Sequence, residues 1–257
     1  MNKTFFDSLN YFCMFIGYPY SGHSLVGSII DAHPNAAISH ELHVGKLVKR
    51  GLTKEQIFTM ILINASRFAQ KGRIWNNYSY AIPGEWNGRV EKLLVIGDKK
   101  GGRSSRFFSR KEEIFHAVGD RFDLPVKFIH VMRNPYDMIS TIIRKTQNPI
   151  DIRNKIAINK CIERIEQVDR IRKSTNEADW HDMYHEQILA NPEVSVTSLF
   201  NFLGLDVPDG FIENCRKVIF ASPHKSRYDV SWTQEDIDFV SRELKRFDHF
   251  SCYSYQS

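Results

Sequence analysis

The sequence is poor in cysteine, and no two of its cysteines are close together in the chain. Its four cysteines lie far apart, at positions 13, 161, 215 and 252. None of the spacings matches the short paired motifs that indicate zinc binding or redox chemistry. We therefore expect reduced, mostly buried thiols.

Long apolar runs are also absent. No uninterrupted apolar stretch approaches the roughly 18 residues that a membrane helix needs. The short apolar run at 11–17 follows an N-terminal lysine, but Asp7 and Asn10 interrupt the approach and no small-residue cleavage site follows. We expect neither a signal peptide nor a membrane span, and we predict a cytoplasmic protein.

Neither sign of charge dominates. Lysine and arginine total 35 against 30 aspartates and glutamates, which gives a formal net charge of +5. This surplus suits an anionic ligand but lies well below the basicity of a dedicated nucleic-acid-binding protein. We expect no nucleic-acid partner, and a mildly basic surface without a ligand is equally compatible with the charge.

The hydrophobic pattern predicts an α/β fold. Short apolar runs indicate buried strands at 12–16, 36–38, 93–96 and 126–132. Helical stripes separate them; Thr53 and Gln56 form a capping-box signature before one helix, and Gly204 is placed to end another. This alternation predicts a three-layer sandwich with a mainly parallel central sheet. The length favours a single domain over residues 1–257.

The stretch from Gly17 to Ser24 joins the first predicted strand to a helix, which is the context of a phosphate-binding loop. Glycine, four residues and glycine is the frame of the nucleoside-triphosphate loop, in which backbone N–H groups converge on an anion. The frame therefore favours a P-loop nucleoside-triphosphate-hydrolase-like fold. His23 stands where that motif requires lysine, although Ser24 keeps the hydroxyl position. The missing lysine argues against a kinase or ATPase.

Two segments resemble the sulfotransferases that use 3′-phosphoadenosine-5′-phosphosulfate (PAPS). Residues 18–24, Tyr-Pro-Tyr-Ser-Gly-His-Ser, resemble the 5′-phosphosulfate loop of that family. Residues 126–141 resemble its 3′-phosphate segment, in which a strand ends in arginine and a hydroxyl residue follows eight positions later on a helix. The matching residues are Arg133 and Thr141, and Ser140 is an alternative one residue out of register.

The resemblance implies a transferase that moves the sulfuryl group of PAPS to a hydroxyl of a carbohydrate, lipid or small alcohol, without a metal. It leaves the oligomeric state open. A basic stretch near the C-terminus resembles one that reaches the donor's 3′-phosphate in the family. The implied donor contacts are Tyr20, Ser21, Gly22, His23, Ser24, Arg133, Thr141, Ser140, Lys225 and Arg227.

The candidate general bases lie at the end of the second predicted strand. Several branches of the family offer a glutamate there, so Glu41 is the first candidate and His40 the second. A histidine needs less adjustment of its pKa near neutrality, whereas a glutamate must be partly desolvated. His43 has only proximity in its favour. The alternative to a general base, for both Glu41 and His40, is a residue of a surface loop or one that only forms a hydrogen bond to the substrate.

Tyr20 is the main departure from the family, because it occupies the position usually held by a lysine or arginine. Residues 97–100, Gly-Asp-Lys-Lys, resemble a glycine-aspartate-lysine element of carbohydrate sulfotransferases. Lys99, a candidate catalytic residue, or Lys100 is therefore placed to supply the missing charge, and His23 to donate from the loop itself. Without such compensation, the alternative is a catalytically weakened protein that binds PAPS or its product PAP on the same scaffold.

Acceptor specificity is expected in variable loops at 42–52, 72–91 and 101–125. The second contains four aromatic residues, Trp75, Tyr78, Tyr80 and Trp86. Such rings suit either stacking on an acceptor or anchoring of the loop itself. The basic stretch from Arg103 to Lys111 indicates a solvated loop in preference to an anion site.

Calorimetric titration with 3′-phosphoadenosine-5′-phosphate (PAP) tests the donor site. We expect binding that requires the 3′-phosphate, and is therefore tighter for PAP than for 5′-AMP or ATP. In Arg133→Ala the affinity should fall at least about tenfold, because a charged contact to phosphate is lost. Equal or absent binding of the three nucleotides would mean that the resemblance is misleading.

Overall fold

The computed structural model describes residues 5–146 and 150–257. The strands are β1 Tyr11–Gly17, β2 Ala36–His40, β3 Ile74–Trp75, β4 Tyr78–Ser79, β5 Val95–Lys99, β6 Val126–Met132 and β7 Trp180–Tyr184. Five of them form a parallel sheet in the order β2-β5-β1-β6-β7. The other two, β3 and β4, form a separate antiparallel hairpin.

Helices separate and follow the strands. Their bounds are α1 His23–Asp31, α2 Val44–Lys49, α3 Lys54–Gln70, α4 Gly102–Phe108, α5 Glu112–Phe122, α6 Pro135–Lys145, α7 Ile150–Lys173, α8 His185–Ala190, α9 Pro192–Leu203, α10 Phe211–Arg216 and α11 Gln234–Leu244. No helix within the described residues is long and apolar enough to cross a bilayer.

Alternate side chains of β1 enter two separate cores. Phe12, Met14 and Ile16 belong to a core that includes side chains of α2, α3, α5, α6, α7 and α11. Cys13 and Phe15 belong to a second core, built with α1, α8, α9 and α10. Helices therefore cover both faces of a parallel sheet, and the predicted three-layer α/β sandwich is confirmed.

Two predicted helix signals are confirmed. The Thr53 hydroxyl accepts the Gln56 backbone N–H at 3.2 Å, and the Gln56 side chain accepts the Thr53 backbone N–H at 3.0 Å. This reciprocal pair is a complete capping box at the start of α3. At the other end of the chain, α9 stops at Leu203, and Gly204 follows with a φ of 65°.

Two segments predicted as loops contain helices instead. Residues 42–52 include α2, and residues 101–125 include α4 and α5. A Cβ on Gly45 of α2 would lie 2.7 Å from the ring of Phe108 and 3.0 Å from that of Phe107, so α2 and α4 pack closely. Helices this short are stabilised mainly by such tertiary contacts, which a local pattern does not reveal.

The cysteines follow the expectation from their spacing. Cys13, Cys161 and Cys215 are buried free thiols, and Cys252 is an exposed one. Burial raises the pKa of the Cys161 thiol to about 12. The prediction of mostly buried, unpaired thiols is confirmed.

The substitution Gly97→Ala tests how tightly β5 packs against β1. A Cβ at this position would lie 2.2 Å from the backbone oxygen of Cys13 in the central strand. We expect Gly97→Ala to lower the free energy of unfolding in urea by roughly 2–3 kcal/mol, because the backbone has to shift.

The matched control is Gly119→Ala on α5, where the nearest atom would be 3.6 Å from the new Cβ. Alanine in a helix interior is favoured over glycine by about 0.5–1 kcal/mol. A Gly97→Ala variant as stable as the control would contradict the close packing.

Candidate active site

The carboxyl ends of β1, β5, β2 and β6 meet at one edge of the sheet. From the central β1, the sheet extends to β5 and β2 on one side and to β6 and β7 on the other. In open parallel sheets, ligands bind in the crevice at such a point of divergence. The loop at 18–22, the turn at 41–43 and Arg133 follow three of these strands.

The loop between β1 and α1 turns tightly. Tyr20 and Gly22 have φ values of 65° and 101°, in the left-handed region. The hydroxyl of Ser105 on α4 accepts the Gly17 backbone N–H at 2.8 Å and donates to the Gly17 carbonyl at 2.9 Å. Ser21 is buried, and its hydroxyl donates to a loop carbonyl at 3.1 Å. The shape of the loop is therefore held by bonds within the protein.

His23 begins α1, but its side chain points inward. The imidazole lies between Gly17 and Gly101, where a Cβ would come within 2.7 and 2.8 Å of it. Its Nδ1 lies 3.1 Å from the hydroxyl of Ser21, and its Nε2 has no hydrogen-bond partner among the described residues. Burial lowers the pKa of His23 to about 3, so the ring is neutral at pH 7. His23 therefore supports the loop without bringing a positive charge to it.

Lys99 brings a positive charge from β5 to the loop. Its Nζ lies 3.1 Å from the Ser24 hydroxyl and 2.8 Å from Oε1 of Glu41. Gly27 on α1 leaves room for its stem, since a Cβ there would lie 2.8 Å from Cγ of Lys99. Lys100 joins the cluster, with its Nζ 2.7 Å from Oε2 of Glu41. The two lysines predicted as replacements for the loop cation thus meet the candidate base, and one of them also contacts the loop.

The two ammonium groups control the ionisation of Glu41. Burial acts to raise the pKa of this carboxyl group, but Lys99 and Lys100 outweigh that effect and lower the pKa below its ordinary value. Burial lowers the pKa of Lys99, and the Glu41 carboxylate opposes that shift. Glu41 is therefore ionised at neutral pH, and its two cationic partners reduce its basicity.

Asp98 holds the turn that carries Glu41. Its side chain is 2% exposed, and its oxygens accept the backbone N–H groups of residues 42–44 at 2.8 to 3.1 Å. The Ser39 hydroxyl also donates to it, at 2.8 Å. Burial raises the pKa of Asp98, and these donors oppose the rise. Because Glu41 and His43 have φ values of 64° and 70°, the turn is strained and needs such bonds to persist.

His40 lies against two aromatic rings. Its imidazole stacks on Phe68 at a centroid distance of 3.9 Å and meets the Trp75 ring edge-on at 4.7 Å. Burial lowers the pKa of His40 to about 3, and its Nε2 lacks a hydrogen-bond partner in the described part of the chain. Trp75, on the β3–β4 hairpin, also lies 5.8 Å from Nζ of Lys99. The hairpin thus adds an aromatic wall beside the lysine.

Arg133 approaches the loop from the other side of β1. Its guanidinium donates to the carbonyls of Tyr20, at 3.4 Å, and His224, while its Nε is buried without a described partner. Nδ1 of His185 is likewise buried and unpartnered within 5–146 and 150–257, and it lies 2.6 Å from where a Cβ on Gly22 would be. Burial, followed by the charge of Arg133, lowers the pKa of His185 to about 4. These unsatisfied nitrogens leave hydrogen-bonding capacity beside the loop.

The two hydroxyl candidates on α6 have different surroundings. Thr141 is half-buried, and its hydroxyl donates to the Asp137 carbonyl at 2.9 Å. Ser140 is fully buried, and its hydroxyl accepts the Trp232 indole N–H at 3.1 Å. Thr141 is therefore the more accessible of the two.

The two C-terminal basic candidates are placed differently. Lys225 is exposed, whereas Arg227 is 2% exposed, with its Nε 3.5 Å from Oδ1 of Asp137. The Arg227 backbone N–H donates to the same oxygen at 2.9 Å. Asp137 thus pairs with Arg227, and Arg133 has no acidic partner within 4 Å among the described side chains. Arg227 therefore braces α6, while its Nε, like that of Arg133, has no hydrogen-bond partner among the described residues.

Sequence and fold comparisons place this geometry in a known context. Residues 126–209, which include Arg133 and Thr141, match a sequence model described as "Sulfotransferase family". The fold is similar to the sulfotransferase domain of the olefin synthase from Synechococcus PCC 7002, with a TM-score of 0.57, 15% identity, and 93% of this chain and 95% of that chain covered. The chain has a sulfotransferase fold.

Other sulfotransferases have a similar structure. A mouse sulfotransferase complexed with PAP matches with a TM-score of 0.53 and 13% identity over 96% of this chain and 90% of its own. A sulfotransferase from Mycobacterium avium has the same TM-score and 11% identity, with coverages of 92% and 76%. No curated protein matches the sequence significantly. The family model thus includes the second of the two segments that resemble sulfotransferases, and the predicted fold is confirmed.

Three residues at this site of the sulfotransferase fold had no predicted role. The sequence offered a clue to Asp98, because an acidic side chain close after a buried strand needs hydrogen-bond donors. The sequence offered no clue to His185 and Lys145, because only the packing of α8 and α6 against the loop brings these two side chains to the site. Lys145 places its Nζ 4.4 Å from the centroid of the Tyr20 ring, within cation–π distance.

Asp98→Asn tests the carboxylate that organises the 41–44 turn. The amide group would face backbone donors with donors of its own, so we expect a loss of roughly 2–3 kcal/mol in the free energy of unfolding in urea. Ser39→Ala, which removes one of the donors to Asp98, should cost only about 1 kcal/mol. Equal losses in the two variants would refute the organising role of Asp98.

Proposed function

We propose that this protein is a PAPS-dependent sulfotransferase that transfers the sulfuryl group to a hydroxyl of a small-molecule or glycan acceptor. The observation that carries the proposal is the contact of Lys99 with both Ser24 of the loop and Glu41, the candidate base. The complex of the mouse protein of similar fold with PAP supports the same donor here.

The donor would be held from two sides of β1. On the 5′ side, the loop at 18–24 offers backbone N–H groups and the Ser24 hydroxyl. On the 3′ side, Arg133 offers a guanidinium without an acidic partner in the described part of the chain, and Thr141 lies on α6, the helix that follows. The unsatisfied nitrogens of Arg133 and His185 lie where an anionic ligand would supply acceptors. PAPS itself supplies a sulfuryl group that is activated by its bond to phosphate.

In the transfer, the acceptor oxygen forms a bond to sulfur as the bond between sulfur and the phosphate oxygen breaks. The products are a sulfate ester and PAP, and the acceptor proton passes to a base. Negative charge therefore grows on the phosphate oxygen that leaves. Lys99 is the cation that stabilises this charge, in place of the loop lysine that Tyr20 replaces.

Glu41 is the base that accepts the proton. In the free protein, Lys99 and Lys100 lower the pKa of Glu41 and so weaken it as a base. When Lys99 turns toward an anionic donor, Glu41 loses part of this stabilisation and its pKa rises, which strengthens the base in the presence of donor. His40, which is neutral and adjacent in the sequence, is the second candidate, and its unpaired Nε2 would accept a hydrogen bond from the acceptor hydroxyl.

Lys99→Met tests the proposed cation. We expect the rate of transfer to fall by about 10²–10³, because a charge that stabilises the leaving oxygen is lost. The affinity for PAP should change by less than about tenfold, since Arg133 and the loop remain. The measurement is release of PAP from PAPS with a panel of phenols, sugars and aliphatic alcohols, with calorimetry of PAP alongside.

Tyr20→Lys is the comparison that separates the two functional hypotheses. If Lys99 already supplies the charge, a second cation in the loop should raise the rate by less than about tenfold. A large gain from Tyr20→Lys over an inactive parent would favour the catalytically weakened PAP-binding protein. Undiminished transfer by Lys99→Met would exclude Lys99 as the cation.

A further inference from the structure

One surface next to the candidate base carries a group of exposed cations without acidic partners. This basic face consists of Lys46, Lys49, Arg50, Arg103, Arg106 and Arg110. None of the six forms an ion pair with an acidic residue that the structure describes; the nearby acids Glu112 and Glu113 pair with His116 and Lys111. The whole chain has a net charge of only +5, so the remainder is close to neutral. These six exposed cations are available to an anionic ligand.

Helical structure aligns these cations. The stretch at 103–111, predicted as a solvated loop, begins within α4. Arg103, Arg106 and Arg110 recur at intervals of three and four residues and so share one side of the chain. Lys49 and Arg50, at the C-terminal end of α2, lie three and four residues beyond Lys46 and so share a side with it, and α2 packs on α4 through Gly45.

A cavity of about 330 Å³ lies between the two helices. It is lined by Lys46, Lys49 and Arg50 from α2 and its C-terminal end, and by Phe107 from α4. Three cations around one aromatic ring suit a compact anionic group attached to a less polar body. An extended nucleic-acid strand instead needs a long groove with several stacking rings.

The cavity adjoins the turn that carries the candidate base. The ring of His43 lies 5.2 Å from that of Phe107, and His43 is two residues beyond Glu41. Burial lowers the pKa of His43 to about 4, with Lys46, Lys100 and Arg103 contributing. Lys100 in turn contacts Glu41 at 2.7 Å. The basic face therefore continues into the site where the acceptor hydroxyl would react.

We infer that the acceptor itself carries a carboxylate or sulfate group, which binds in the cavity between α2 and α4 while its hydroxyl meets Glu41. The inference rests on the proposed function and specifies its substrate class. The remaining arginines of the basic face attract such an acceptor through their field.

NMR titration with glucose 6-sulfate, with glucose as the uncharged control, tests this site. We expect glucose 6-sulfate to shift the amide signals of residues 44–50 and Phe107, and glucose not to do so. In a variant that combines Lys46→Gln, Lys49→Gln and Arg50→Gln, the affinity should fall at least about tenfold.

The matched control combines Lys92→Gln, Arg121→Gln and Lys245→Gln, which removes the same charges from exposed positions elsewhere. It should bind glucose 6-sulfate as the parent does, and all three proteins should bind PAP equally. Equal loss in both triple variants, or shifts elsewhere, would overturn the inference. So would binding of an RNA oligonucleotide, but not of the sugar, at this face. If the parent binds glucose 6-sulfate but not PAP, the proposed donor site is wrong. The sugar could then not be interpreted as the acceptor of a transfer.

Discussion

The arrangement of the candidate site depends on the position of one buried ammonium group. Lys99 lies between the hydroxyl of Ser24 and the carboxylate of Glu41, and it contacts both. It reaches both because β5 lies between β1 and β2 in the sheet, with Lys99 in register with His40. A different strand order would separate the loop from the candidate base. The sheet topology therefore supplies the cation that the loop sequence lacks.

This position requires close packing on either side of β5. Gly97 allows the strand to approach β1, and Gly27 leaves space for the stem of Lys99. On the opposite face, Asp98 binds the strained turn that carries Glu41. Left-handed residues other than glycine cost of the order of 1 kcal/mol each, and the buried carboxylate offsets that cost. Three adjacent residues of β5 thus form this part of the site: Gly97 allows the close packing, Asp98 holds the turn of Glu41, and Lys99 is the cation.

Electrostatics links the two halves of the crevice. Imidazole groups around the loop are neutral because burial lowers their pKa values, as at His23 and His185. Positive charge beside the loop therefore comes from Lys99 on one side and from Arg133 on the other. Beyond Glu41, the cations of the basic face add further positive potential on the side where the acceptor is expected. An anionic donor and an anionic acceptor would meet at a carboxylate whose basicity the lysines adjust.

The sequence alone determined the fold class, the tight turn between β1 and α1, and the position of Arg133 directly after β6. These features depend on local hydrophobic period, turn residues and spacing along the chain, as the capping box of α3 also does. It also indicated Lys99 or Lys100 as a replacement cation, because both follow a predicted buried strand and so lie near the edge of the sheet.

Only the tertiary structure decided which side chains meet. It buried His23 as a neutral ring, paired Arg227 with Asp137, and assigned Asp98 to the turn beyond a neighbouring strand. It also folded α2 and α4 into helices that form one basic face. Strand order and the packing of distant helices create these contacts, and no local pattern encodes them, because each contact joins residues far apart in the chain.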